Sequence, residues 1–202
     1  MDRRPSVQAA TGGADNLPSV RARQAELRAL YAERPEAATI HKLARTGPAS
    51  GRDPFHVTVV PENLAAPDRP YAVEWLTGID RAVGGLHDAP NPGEMLCGTL
   101  ATCFDGTLRM IAALIGIALE EVAVQVSGSL DVRGALDIDH DVPVGFQAMR
   151  LEAKLRTTPE TPSWMAQQLA RAVERLCITL DTLRRGVPVE VVVDVDTADP
   201  RR

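Results

Sequence analysis

The sequence predicts an α+β fold, and three observations carry that prediction. Two segments, Val122–Arg133 and Phe146–Arg156, alternate apolar and polar residues as half-buried strands do. Two others repeat apolar residues at helical spacing, one from Glu94 to Ile115 and one from about Thr161 to Leu183. The elements are grouped instead of alternating strictly as β-α-β, which points away from a parallel sheet. At 202 residues and 45% apolar content, the chain can bury one substantial core.

Each element follows from local residue choice. Residues 1–18 contain Pro5, Gly12, Gly13 and Pro18 and few large apolar groups, and are expected to form a disordered tail. Ser19 is a natural N-cap for a helix carrying Val20, Leu27, Leu30 and Tyr31, which Pro35 interrupts; a second helical stretch, Glu36–Leu43, would follow. Residues 19–50 thus read as a helical N-terminal extension, closed by the loop residues Gly47, Pro48, Ser50 and Gly51, with the main domain over 51–202. That domain opens with two β-like runs, Phe55–Val60 and Tyr71–Leu76, expected to pair antiparallel. The stretch Gly84–Gly93 is too rich in glycine and proline for regular structure and delivers the chain to the long helix. Glu94 sits in the first turn of that helix, where the dipole favours a carboxylate, and Gly116 ends it. Apolar around most of its circumference, the helix should be covered on nearly all sides. After the two alternating strands and a polar Asp137–Asp141 loop, the second helix runs to Gly186, and Val187–Val195 reads as a last strand.

Composition excludes several functions. Twenty-two basic against 27 acidic side chains give a net charge of −5, and only seven residues are aromatic, so nucleic acid is not an expected partner. The charge is uneven, +3 over residues 1–50 and −8 over the remainder. The apolar stretch Met95–Leu119 is broken by Asp105 and Arg109, which favours a buried helix over a membrane span. Histidines 41, 56, 87 and 140 lie in unlike segments and no metal-ligand spacing occurs; the Asp137–His140–Asp141 turn is read as solvated. There is no GxSxG, Walker or GxGxxG motif, and no cofactor is expected. Three cysteines without an apolar leader suggest a cytoplasmic protein carrying thiols. Cys103 and Cys177 lie on the two helices, 74 positions apart; Cys97 is about 120° around the helix from Cys103 and does not readily share its pocket. Helix-borne cysteines among Leu, Ala and Met are commonly inert, unless two of them face each other.

Asn91-Pro92-Gly93-Glu94-Met95-Leu96 followed by Leu100-Ala101-Thr102-Cys103-Phe104 resembles the signature of the OsmC/Ohr family, in which an Asn-Pro turn starts a buried helix bearing a redox cysteine. Gly116-Ile117, Leu119–Val122 and the run from the second cysteine helix into Leu183-Arg184-Arg185-Gly186-Val187 are similar to the same family. The segment from Ala22 through Tyr31 to Ala38 is similar to the N-terminal helical extension of one OsmC-like subgroup. The resemblance spans roughly residues 20–195.

It implies an intertwined homodimer with curved antiparallel sheets around two central helices, and a thiol-dependent reduction of organic hydroperoxides in defence against oxidative stress. By position Cys103 matches the attacking cysteine and Cys177 the resolving one, with a dithiol as reductant. The hydroperoxide-resistance branch places a carboxylate directly after Asn-Pro, where it positions an activating arginine; here that place is Gly93, and Glu94 follows one residue late. Arg52 and Arg81 are candidates for the arginine by region, while Arg109 lies on another face of the cysteine helix. Ile178 stands where the family often has proline. The alternative is a diverged OsmC-fold protein that binds a small apolar ligand without peroxidase activity.

Overall fold

The computed structural model describes residues 19–48 and 53–195. The expected tail at 1–18, the loop residues Ser50 and Gly51, and Arg52 lie outside them. The chain divides between His41 and Lys42 into two units.

In the first unit, α1 (Val20–Glu33) begins where Ser19 accepts a hydrogen bond from the Ala22 N–H at 3.1 Å. None of its residues is buried. The second helix expected over Glu36–Leu43 is a single 3-10 turn, Pro35–Ala38. Leu43 instead begins β1 (Leu43–Pro48), so residues assigned from sequence to the helical extension belong to the sheet of the second unit. Backbone pairing with β2 decides this, since Leu-Ala-Arg-Thr-Gly-Pro has no strand-like alternation of its own.

The second unit contains two antiparallel sheets. Strands β1, β2 (Val57–Glu62) and β3 (Trp75–Thr77) form the first in sequence order. Strands β4 (Leu119–Ser129) and β5 (Ala148–Thr157) form the second, with Val124 opposite Ala153 and Val126 opposite Leu151. A short helix, α3 (Val132–Ala135), lies between β4 and β5, where Arg133 pairs with Asp131 at 2.6 Å and Asp139 at 3.1 Å. Those pairs account for part of the acidic turn, and among the described residues no group of three His, Cys, Asp or Glu could hold a metal.

The central element is α2 (Pro92–Ile115). Asn91 caps it by accepting the Glu94 N–H on its side-chain oxygen, the Glu94 carboxylate accepts the Asn91 N–H in turn, and Gly116 closes it at φ 78°. One face, Leu100, Phe104, Leu108, Ile111 and Ala112, packs with Ile117, Leu169, Val173 and Cys177 into the core. Met110 and Ile115 on other faces remain exposed, so this chain covers only part of a helix expected to be covered nearly all round. By length and composition α2 could cross a membrane; a helix that supplies the core against β4 and α4 (Ser163–Leu176) meets the same test.

Two sequence expectations fail at the C-terminal end. The single helix predicted over Thr161–Leu183 is two, α4 and α5 (Ile178–Arg185), separated at Cys177, whose ψ of 111° is extended. Val187–Val195 is not paired with any described strand; six of its valines are 59–82% exposed.

Candidate active site at the cysteine pair

The break between α4 and α5 builds the site. Cys177 ends α4 by donating its N–H to the Val173 carbonyl at 3.0 Å, and starts α5 by accepting the Asp181 N–H at 3.0 Å. The first N–H groups of α5 therefore have no partner in their own helix, and no side-chain oxygen caps them. That open start follows directly on Cys177, beside the paired sulfurs.

Cys103 comes from the middle of α2 and its sulfur lies 3.5 Å from that of Cys177. Burial opposes ionisation of the Cys103 thiol. Hydrogen bonds from Thr179, Cys177 and Thr107 outweigh it, and the thiol lies below its ordinary range. Thr107 donates its hydroxyl to the Cys103 carbonyl at 2.8 Å. Cys177 is fully buried; burial, and then the neighbouring Cys103, push its thiol up against the N–H groups that favour the thiolate. The arrangement divides the labour, with one sulfur readily charged and the other held as a proton donor to it.

Cys103 also lines an apolar cavity of about 690 Å³ with Trp75, Leu76, Pro90 and Met95. Trp75 is half-exposed at this cavity, placed there by the pairing of β3 with β2. A larger cavity of about 880 Å³, lined by Leu100, Phe104, Phe146 and Leu183, contains no thiol.

Glu94, the third expected site residue, is not brought to the pair. Nine residues separate it from Cys103, about 180° around the helix and roughly 13 Å along it. Its carboxylate is committed to the Asn91 cap and lies 3.9 Å from His87. His87, at a left-handed φ of 55°, also meets Asp80 at 3.4 Å, and Asp80 accepts from Asn91 at 3.3 Å. This polar knot anchors the start of α2. A side chain at position 93 would be tight, since a Cβ on Gly93 would lie 3.1 Å from the Asn91 oxygen and 3.3 Å from the Phe146 ring, which would have to give by a few tenths of an ångström. Arg81 is exposed on a 3-10 turn, and Arg109 forks onto Asp105 of its own helix at 2.5 and 3.3 Å, not onto a sulfur.

Sequence reasoning missed a second anchor. Buried His56 bonds Asp88 at 2.8 Å, and Asp53 accepts the N–H groups of Phe55 and Leu86, tying the approach to β2 to the loop before α2. These partners lie 32 and 33 positions apart, beyond any local pattern.

Comparison with known proteins bears on the fold. The structure resembles those of an OsmC-like protein from Mycoplasma pneumoniae (TM-score 0.54, 14% identity, 73% of this chain and 89% of that one) and the organic hydroperoxide resistance protein OsmC of Legionella pneumophila (0.51, 19%, 73% and 91%). An organic hydroperoxide resistance protein from Elizabethkingia anophelis is similar at 0.51, with 17% identity over 74% and 91%. At such identities the likeness establishes the fold. No curated protein matches the sequence. The family model for OsmC-like proteins matches residues 85–192, over half of the chain, from the loop ahead of the cap at Asn91 past both cysteines, and the protein belongs to the OsmC-like family.

Proposed function

We propose that this protein is a thiol-dependent peroxidase that reduces organic hydroperoxides through Cys103 and Cys177, in defence against oxidative stress. The observation that carries the reading is the 3.5 Å separation of the two sulfurs, from residues 74 positions apart. The Cys103 thiolate attacks the hydroperoxide O–O bond, giving a sulfenic acid and an alkoxide that leaves as the alcohol after protonation. The Cys177 thiol then displaces the sulfenic hydroxyl as water and forms a disulfide, which an external dithiol reduces back to two thiols. The apolar cavity beside Cys103 suits an organic peroxide over hydrogen peroxide.

The working form is proposed to be a cytoplasmic homodimer. The exposed valines of Val187–Val195 and the exposed part of α2 are the surfaces a second copy would cover, and light scattering should give twice the 21.7 kDa chain mass. Consumption of cumene hydroperoxide with dithiothreitol tests the activity. Wild type should turn over; without dithiothreitol each protein should stop after one equivalent, wild type as the Cys103–Cys177 disulfide and Cys177→Ser with Cys103 as sulfenic acid. Equal rates in wild type and Cys103→Ser would replace this reading with binding of an apolar ligand.

A further inference from the structure

We propose that the larger cavity, of about 880 Å³, is a binding site for an alkyl carboxylate, the chain lying between its apolar walls and the carboxylate meeting Arg171 at its rim. Neither sulfur of the pair lines it, and the assignment stands whether or not the protein consumes hydroperoxide.

Four elements build the walls. Leu100 and Phe104 of α2, Met149 and Leu151 of β5 and Leu183 of α5 supply apolar surface, and Ala170 of α4 borders one side. The volume falls within the roughly 300–1,000 Å³ of small-molecule sites, and a lining of this kind takes a hydrocarbon chain in preference to a polar solute. Leu100 and Phe104 belong to the buried core and Met149 and Leu151 pack against it, so these walls are held by the packing of the domain itself. Phe146 adds a further wall. Its ring stands over two glycines, since a Cβ on Gly128 of β4 would lie 2.5 Å from the ring and one on Gly93 of α2 would lie 3.3 Å from it. A side chain at 128 would push the ring away; glycine lets it stand at the cavity edge before any ligand arrives.

The rim sets the charge of the ligand. The charged side chains in the lining are Arg171 and Glu174 of α4 and Arg184 of α5. Arg184 pairs with Glu174 at 2.8 Å, so these two cancel and Arg171 leaves the rim with one positive charge in excess. Gln147 also lines the cavity, but its amide is engaged by the Asp131 N–H and by the Pro143 and Gly145 carbonyls. A guanidinium stays protonated and offers a planar fork that matches a carboxylate. Arg171 is exposed, so this contact is screened by salt and orients the ligand, while the apolar walls supply most of the affinity.

Calorimetric titration of decanoate into the full chain, kept reduced and at low salt, tests the site. Wild type should bind one decanoate per chain, and decyltrimethylammonium more weakly. Arg171→Gln should weaken decanoate binding about fivefold, the scale of one exposed ion pair, and added salt should shrink that difference. Ala170→Trp places a large side chain into the cavity from an exposed helix position and should abolish binding with the far-UV circular dichroism unchanged. The proposal is overturned if wild type takes up no decanoate, the result expected where a second copy covers the cavity. It is overturned equally if Ala170→Trp binds as wild type does, which places the ligand beside Cys103 or on the exposed valines. Wild-type affinity in Arg171→Gln, or equal affinity for the ammonium, overturns the carboxylate. The heat of binding needs no peroxide, so failure of the peroxidase reading and failure of this site are separate results.

Discussion

Two cysteines stand six residues apart on α2, and their surroundings differ more than their positions. Cys97 lines a cavity of about 470 Å³ with Asp80, Asn91 and Glu94, at the end of the helix where side chains are spent on anchoring. Cys103 faces the opened start of α5, its sulfur 3.5 Å from that of Cys177. The difference teaches that a thiol's setting in this fold depends on which element ends opposite it. The stretch around Asn91 anchors the helix, and the stretch around Cys177 brings a second sulfur to the first.

The largest expected effect falls on the second region. Cys103→Ser should bring hydroperoxide consumption to the buffer background, while Cys97→Ser should leave it unchanged within about twofold, the scale of a substitution away from the reacting atoms. Comparable losses from both would erase the contrast. Leu169→Ala removes a side chain with no solvent exposure from the core beneath the pair, and should cost about 2–5 kcal/mol in urea unfolding. The cap is worth less. Asn91→Ala should lower stability by about 1 kcal/mol and leave the pH profile of Cys103 alkylation in place, since the knot at Asp80, His87 and Glu94 acts on the helix and not on the sulfur. A shift in that profile would show that the two regions are coupled along α2.

The pH dependence sharpens the contrast within the pair. A thiol reacts as its anion, so its modification rate rises with pH through its own titration. Cys103 is held below its ordinary range and Cys177 above. As pH rises Cys103 should therefore alkylate first, and Cys177, also buried, only at more alkaline pH; the reverse order in site-resolved alkylation would contradict the assigned roles.

Much of this was legible in the sequence because it is local. Asn91 and Glu94 mark the start of α2, Gly116 marks its end, and alternation marks β4 and β5, since caps and face patterns are set within a few residues. The site was legible in part. Cys103 and Cys177 could be named from a family pattern, and Glu94 could be named with them, yet the helix turns its carboxylate to the opposite side. The break at Cys177 carries no proline or glycine to announce it, and Ile178-Thr179-Leu180 reads as continuing helix. Val187–Val195 has the composition of a strand, but composition alone forms no ladder, and the segment pairs with no described strand.

The sequence by itself determined where the helix starts and stops, which strand faces are apolar and which residues could carry thiol chemistry, because these depend on residues close together in the chain. Tertiary structure alone decided that Cys103 meets Cys177 and that Cys177 is fully buried. Those outcomes depend on how α2 packs against α4 and α5, and packing joins positions that no local pattern relates.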